Sequence, residues 1–441
     1  MKKVLVVFLA ICMFLSSPCY VYAKTPVKIK SITAEFPEAG KVSIAVNQKR
    51  TLFVKVRPEN AEEKLVWKSS DSDIVKVSKS GVIQGVKQGK AEIICKAKSN
   101  KDIFVSYKVT VKKRKKSDYY SKKNMKIVKS DSVKYSYKRL CKDLKSLKAE
   151  YPYLMEYKSL GKTYDKRNIY EVIIGNKNAK RHITIQASMH AREYINSLLV
   201  MRQLESLCAN YYTGRYKGKY YSELLDKTCL HIIPMVNPDG IEISINGPKG
   251  IKNKTLKNNI IKMCKKYGKG KKRFYTRWKA NARGVDLNRN YKEGWYRKKY
   301  KAVKKPTNAM YKGKSPESEK ETKIMIKQFK SVKPKVVISY HSVGSIIYTN
   351  FGQSYSLNKK NQSLYKAVKV LTHYKRASCD KYKFRAEPTY GGFVGHTNKT
   401  NTLTIETGRK EAPVKKKQFK RIWKENKYVL PAVMNWTIEN K

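Results

Sequence analysis

From about residue 27 to residue 112, apolar and polar positions alternate in short segments. Leu52, Val54 and Val56 form one such segment, Val75 and Val77 another, and turn clusters such as Ser69-Ser70-Asp71-Ser72-Asp73 separate them. A period of two with frequent turns predicts short half-buried strands, and so an all-β sandwich. Residues 113–131 are basic and polar without sustained periodicity and read as a linker. Beyond them the pattern changes. The run Ile183-Thr184-Ile185-Gln186-Ala187 is followed by Leu198, Met201, Leu204 and Cys208 at helical spacing, and Ile232–Val236 and Val336–Ile338 are further buried-strand runs. Buried strands alternating with helices predict an α/β domain over residues 132–441.

The start of the chain fits neither pattern. Met1-Lys2-Lys3, the apolar run Val4–Leu15 and Val21-Tyr22-Ala23 supply a basic region, a hydrophobic region and a small residue, the order of a secretory leader cut after Ala23. A lipid anchor on Cys19 is the competing reading, and Pro18 stands where a small residue is wanted. No later stretch reaches the roughly 18–20 apolar residues of a membrane span. The expectation is a secreted, extracellular protein associated with the cell wall, with no span in the mature chain.

Charge sharpens that expectation. The formal net charge is +65 over 441 residues and falls to +63 without the leader's two lysines. Such a surface is drawn to polyanions by salt-sensitive attraction. Outside the cell these are anionic wall polymers; with no nucleic-acid motif, no nucleic-acid partner is expected. A hydrophobic fraction of 41% excludes a wholly disordered polycation. Six cysteines remain after the leader, Cys95, Cys141, Cys208, Cys229, Cys264 and Cys379; disulfides are permitted there, and their pairing is not readable from spacing.

Catalytic zinc takes three nitrogen or oxygen ligands and keeps one position open. The chain has six histidines. His190-Ala191-Arg192-Glu193 directly follows the first buried strand, His341 follows the strand Val336–Tyr340, and Glu406 ends the run Leu403-Thr404-Ile405. In an open α/β sheet the crevice at the carboxyl ends of the strands is the default ligand site, so three strands deliver these groups to one edge. His182, His231 and His373 lie beside strand or helix patterns and read as hydrogen-bonded structural residues, while His396 lies nearer the site.

Five blocks, His190-Ala191-Arg192-Glu193, Asn237-Pro238-Asp239-Gly240, Gly284-Val285-Asp286-Leu287-Asn288-Arg289-Asn290, His341-Ser342 and Thr404-Ile405-Glu406, occur in the order of the zinc metallocarboxypeptidases of the carboxypeptidase A type. The segment 132–438 resembles that family. The resemblance implies a mixed central sheet with helices on both faces and one Zn2+ held by His190, Glu193 and His341. It further implies Glu406 as general base, and Asn288 with Arg289 as the grip on a substrate carboxylate. The physics suits these roles: zinc activates water, and a guanidinium fork matches a carboxylate. Where the family usually has arginine after a tryptophan, this chain has Trp278-Lys279-Ala280-Asn281, so Lys279 would supply the second cation without a planar fork. That block is similar to the members that act as γ-D-glutamyl-diamino-acid peptidases on wall peptides. Tyr390, in Thr389-Tyr390-Gly391-Gly392, is the nearest candidate for the family's substrate-binding tyrosine. No acidic residue in Phe393-Val394-Gly395-His396 selects a basic C-terminus.

The N-terminal segment, through Val56-Arg57-Pro58, Val66-Trp67-Lys68-Ser69-Ser70-Asp71 and the glycines at 81, 85 and 89, resembles the bacterial Ig-like domains of group 2, with Trp67 as a core residue. The expected function is a zinc-dependent peptidase of cell-wall peptides. The alternatives are a general carboxypeptidase trimming C-termini and a catalytically inactive wall-binding protein.

Overall fold

The computed structural model describes residues 26–36, 40–113, 125–296, 303–377 and 388–440. The expected leader, most of the linker and Cys379 lie outside the described residues. The chain divides into two compact units, one drawn from residues 1–43 and 51–112 and one from residues 113–441 together with Ile44–Arg50.

In the first unit Gly89–Ala97 pairs antiparallel with both Leu65–Ser69 and Phe104–Lys112, while Ser31–Phe36 pairs with Phe53–Arg57. The period-two pattern turns Cys95 and Ala97 inward, where they meet Ile29, Ile32, Val54, Val56 and Trp67. The Trp67 ring stacks on Tyr107 at 6.3 Å between centroids. Gly81 passes its edge at a φ of +76°, so close that an added Cβ would stand 2.7 Å from the indole. This is the expected all-β Ig-like arrangement, with Trp67 half-buried and packed against the core.

The second unit is built on an eight-stranded sheet. Its strands, in chain order, are β1 (Met155–Lys162), β2 (Asn168–Gly175), β3 (His182–Ala187), β4 (Cys229–Ile233), β5 (Val336–Ser342), β6 (Ile346–Tyr348), β7 (Lys375–Arg376) and β8 (Asn401–Thr407). They lie in the order β1-β2-β4-β3-β5-β8-β6-β7. The centre, β4-β3-β5-β8, is parallel; the flanking pairs β1-β2, β2-β4 and β6-β8 are antiparallel. The sheet is therefore mixed, as expected. The parallel strands are covered on both faces, which is why their sequences are apolar runs rather than alternations.

On one face Ile183, Ile185, Ile338, Tyr340, Leu403 and Ile405 pack against the helix Ile195–Ala209 and against Leu364, Val368 and Val433 of later helices. On the other, Ile233 and Val337 meet Met325 and Phe329 of the helix Lys320–Val332, together with Phe393 and Tyr390. The second face also carries the polar positions Thr184, Gln186, Ser339, His341, Thr404 and Glu406, by the same alternation. Among the described residues Cys95, Cys141, Cys208, Cys229 and Cys264 are free thiols. No helix among them is long and apolar enough to cross a membrane.

Candidate metal centre and active site

Strand ends and one helical turn assemble the site. His190 follows β3 in extended conformation, and a single turn, Ala191–Glu193, swings the Glu193 carboxylate back toward it before the helix Ile195–Ala209 begins. His341 lies near the end of β5, directly opposite Glu406 of β8 in the parallel register. Partners across a parallel ladder share a face about 4.8 Å apart, so the backbone itself sets these two side chains side by side.

His190, Glu193 and His341 are all buried, and their donor atoms converge. His190 Nδ1 is 2.8 Å from Glu193 Oε1, His341 Nδ1 is 3.1 Å from Glu193 Oε2, and the two Nδ1 atoms are 3.1 Å apart. On the far side of the His190 ring, Nε2 faces Asp286 Oδ1 at 3.2 Å. Both ring nitrogens of His190 thus face carboxylates; with a cation held between Nδ1 and Glu193, the ring proton would stand on Nε2, toward Asp286. Two imidazole nitrogens and a carboxylate around one point suit a cation better than they suit each other. A tetrahedral zinc ion, with bonds of about 2.0–2.2 Å, sets its donors roughly 3.4 Å apart. The three residues fit one such ion.

The electrostatics agree. Burial alone would raise the Glu193 carboxyl, but His190 and His341 outweigh it and hold it well below the usual carboxylate range. Burial would lower His341, and its bond to Glu193 reverses that and raises it. Glu406 goes the other way: burial pushes it up to about 7, opposed by the charges of His341, Lys279 and Arg192.

Asp286 joins these groups and was given no role from the sequence, although it stands inside a quoted block. Besides facing His190, it holds the Lys279 ammonium at 2.9 Å and has Arg289 Nε at 3.8 Å. Burial would raise its carboxyl, and Lys279, His190 and Arg289 hold it well below the usual range. Nothing in the sequence marks it beyond its place in that block.

Other quoted residues act as scaffold. Asn237 caps the helix Pro238–Asn246 through the Gly240 N–H and donates to the carbonyls of Met189 and Ala280, bracing the segments that carry His190 and Lys279. Ala191 N–H donates to the Lys279 carbonyl. Ser342, held by Asn196, donates its N–H to Glu193 Oε2.

Asn288 and Arg289 occupy the single turn Leu287–Arg289 beyond Asp286. Asn288 Oδ1 accepts from the backbone N–H of Tyr390. The Tyr390 side chain is only 1% exposed, with Tyr291 and Phe393 around it at 5.6 and 6.1 Å between ring centroids. The Tyr390 backbone therefore meets Asn288, while its ring packs in the core. His396 is exposed, and its ring is bonded to the Gly352 carbonyl.

Comparison with known proteins gives a family match over most of this unit. The zinc carboxypeptidase family matches residues 140–429, and the bacterial Ig-like domain (group 2) matches residues 26–105. The chain is 31% identical over 218 residues to gamma-D-glutamyl-L-diamino acid endopeptidase 1 of Lysinibacillus sphaericus, covering 49% of this chain and 52% of that protein. It is 27% identical over 226 residues to mast cell carboxypeptidase A of Homo sapiens, covering 51% and 48%. The chain thus spans about half the length of these two curated relatives. Among solved structures, thrombin activatable fibrinolysis inhibitor superimposes with a TM-score of 0.56 at 18% identity, covering 72% of this chain and 78% of that one, a likeness of fold.

Proposed function

We propose that this chain, which belongs to the zinc carboxypeptidase family, is an exported zinc-dependent hydrolase that cleaves the anionic stem peptides of the bacterial cell wall. The observation that carries the hydrolase reading is the convergence of His190, Glu193 and His341 beside Glu406. The wall-peptide reading is supported by the similarity to an enzyme named for a γ-D-glutamyl-L-diamino acid bond, by Lys279 in place of an arginine, and by a cationic chain that suits an acidic substrate. Export rests on the leader pattern of residues 1–23, and the Ig-like segment is read as a contact to wall material.

A zinc ion bound to the three ligands would supply Lewis-acid activation of water and of the scissile carbonyl. Glu406 takes a proton from the attacking water; as the C–O bond forms and the C–N bond breaks, it returns that proton to the leaving amine. Glu406 must be ionised to accept, and Lys279 and Arg192 favour that state. Lys279 offers positive charge to the developing oxyanion and is itself kept in place by Asp286. Asn288 and Arg289 hold the substrate's terminal carboxylate. Asp286 orients His190.

The test is mass-spectrometric cleavage of a stem peptide containing a γ-D-glutamyl-diamino acid bond and of a plain L-peptide, each with zinc and after chelation. Chelator-sensitive cleavage of the stem peptide alone is expected. Release of single C-terminal residues from the L-peptide, abolished when its C-terminus is amidated, would support the general carboxypeptidase reading that Asn288 and Arg289 favour. Silence on both substrates with zinc bound would leave an inactive wall-binding protein. Retention on anionic wall polymers should fall steeply with salt; salt-independent retention would argue against a role for the cationic surface.

A further inference from the structure

We propose that His182, Cys229 and His231 form a second metal site, for a divalent ion of the zinc type, at the edge of the sheet opposite the active site. Register brings them together. His182 opens β3 and is the parallel partner of Cys229, which opens β4; His231 lies two residues further along β4, so all three side chains fall on one face. Their ligand atoms all lie within 4.8 Å of one another. Cys229 and His231 are buried, while His182 is partly exposed and leaves a path for an ion.

The hydrogen bonding around the cluster is arranged for a cation. His231 Nδ1 is 3.1 Å from Glu171 Oε1, and Glu171 is braced by Gln328 at 2.8 Å and faces Lys158 at 3.4 Å. A carboxylate accepts only, so the proton of neutral His231 stands on Nδ1 and the Nε2 lone pair points at His182 Nδ1, 2.9 Å away. Neutral His182 fills the 2.9 Å contact when it donates Nδ1–H to His231 Nε2. With its proton on Nε2 instead, two ring lone pairs face each other beside a thiol. A tetrahedral ion resolves that arrangement, with the thiol proton passing to solvent on binding. One thiolate and two imidazoles make a borderline-soft donor set that suits zinc and leaves one position for water. Glu171 then stands behind His231 as Asp286 stands behind His190.

Such an ion would tie β3 to β4, with Glu171 of β2 behind, about 17 Å along β3 from the end that leads into His190. Its role there is structural, and it does not depend on the proposed hydrolysis.

The full chain should be equilibrated with buffered zinc and its metal content measured. Two ions per chain are expected in the wild type and one in Cys229→Ser and in His182→Asn; the latter alters a partly exposed side chain and guards against misfolding. Cobalt gives an independent readout, because the active-site ligands include no sulfur. A thiolate-to-cobalt charge-transfer band in the near ultraviolet should appear in the wild type and vanish in Cys229→Ser. Zinc added beyond the first equivalent should raise the melting temperature of the wild type and leave both variants unmoved. One ion per chain without a thiolate band, or a band that survives in Cys229→Ser, would overturn the proposal and leave a hydrogen-bonded His182–His231–Glu171 relay.

Discussion

Replacing Asp286 by asparagine keeps the side chain's size and removes the one negative charge that serves His190, Lys279 and Arg289 together. At the 2.9 Å separation of Lys279 Nζ from Asp286 Oδ2, the gross attraction is about 6 kcal/mol at an effective dielectric near 20. Desolvation offsets much of that while the pair is intact, but the variant leaves a largely buried ammonium without a partner, which costs about 3 kcal/mol of stability. The effect on His190 is separate. Without a carboxylate behind Nε2 its Nδ1 becomes less basic, and zinc affinity should fall roughly 10- to 100-fold, or about 1.4–2.7 kcal/mol. Competition against a chelator of known affinity reads the second effect, and denaturant unfolding of the metal-free protein reads the first. Destabilisation with undiminished zinc affinity would refute the claim that Asp286 orients His190 and leave it as a counter-ion for Lys279 alone.

Glu406→Gln should bind zinc as the wild type does while losing roughly 10²–10⁴-fold in turnover; a variant that keeps its rate would remove Glu406 from the mechanism. Burial, with Asp239 and Glu319 nearby, pushes Glu321 up to about 8. The native state therefore keeps a proton that the unfolded chain releases near pH 4.5. Stability should fall as pH rises from about 4.5 to 8, by on the order of 5 kcal/mol from this group, and the fall should be much smaller in Glu321→Gln; an equal pH dependence of the urea unfolding free energy in wild type and Glu321→Gln between pH 5 and pH 8 would contradict it. A Cβ on Gly240 would stand 2.4 Å from the Ala280 carbonyl, so Gly240→Ala should cost about 1–3 kcal/mol and disturb the segment carrying Lys279, and a melting temperature equal to the wild type's would show that this segment yields freely.

The groups legible in the sequence are those that sit where a strand ends. His190, His341 and Glu406 each follow a buried apolar run, and that position alone directs them to the crevice of an open sheet. Glu193 was legible because one turn separates it from His190. Asp286 was not, since its meaning lies in what faces it from 90-odd residues away and a lone aspartate in a loop carries no such mark. For Tyr390 the neighbouring glycines mark the segment but not what surrounds the ring, which is Phe393 and Tyr291. His182 and His231 were read as structural residues one at a time. Cys229-Leu230-His231 already puts two donors on one face of a strand, but their meeting with His182 requires knowing that β3 and β4 are parallel neighbours in this register. Strand order is fixed by packing across the whole sheet, and β4 lies between β2 and β3, an arrangement that no local pattern specifies.

The pairing of His341 with Glu406 makes the spacing between proposed ligand and proposed base a property of the main chain. Substitutions in the loops that shape substrate choice leave the two positions at one sheet spacing. The fold thus works as a gauge block: specificity can drift around a reacting distance that the ladder holds constant. That gauge fails only in whole steps. A shift of one residue between β5 and β8 turns every side chain to the opposite face, and a shift of two moves Glu406 by about 6.6 Å, so the ladder offers no intermediate setting for the base.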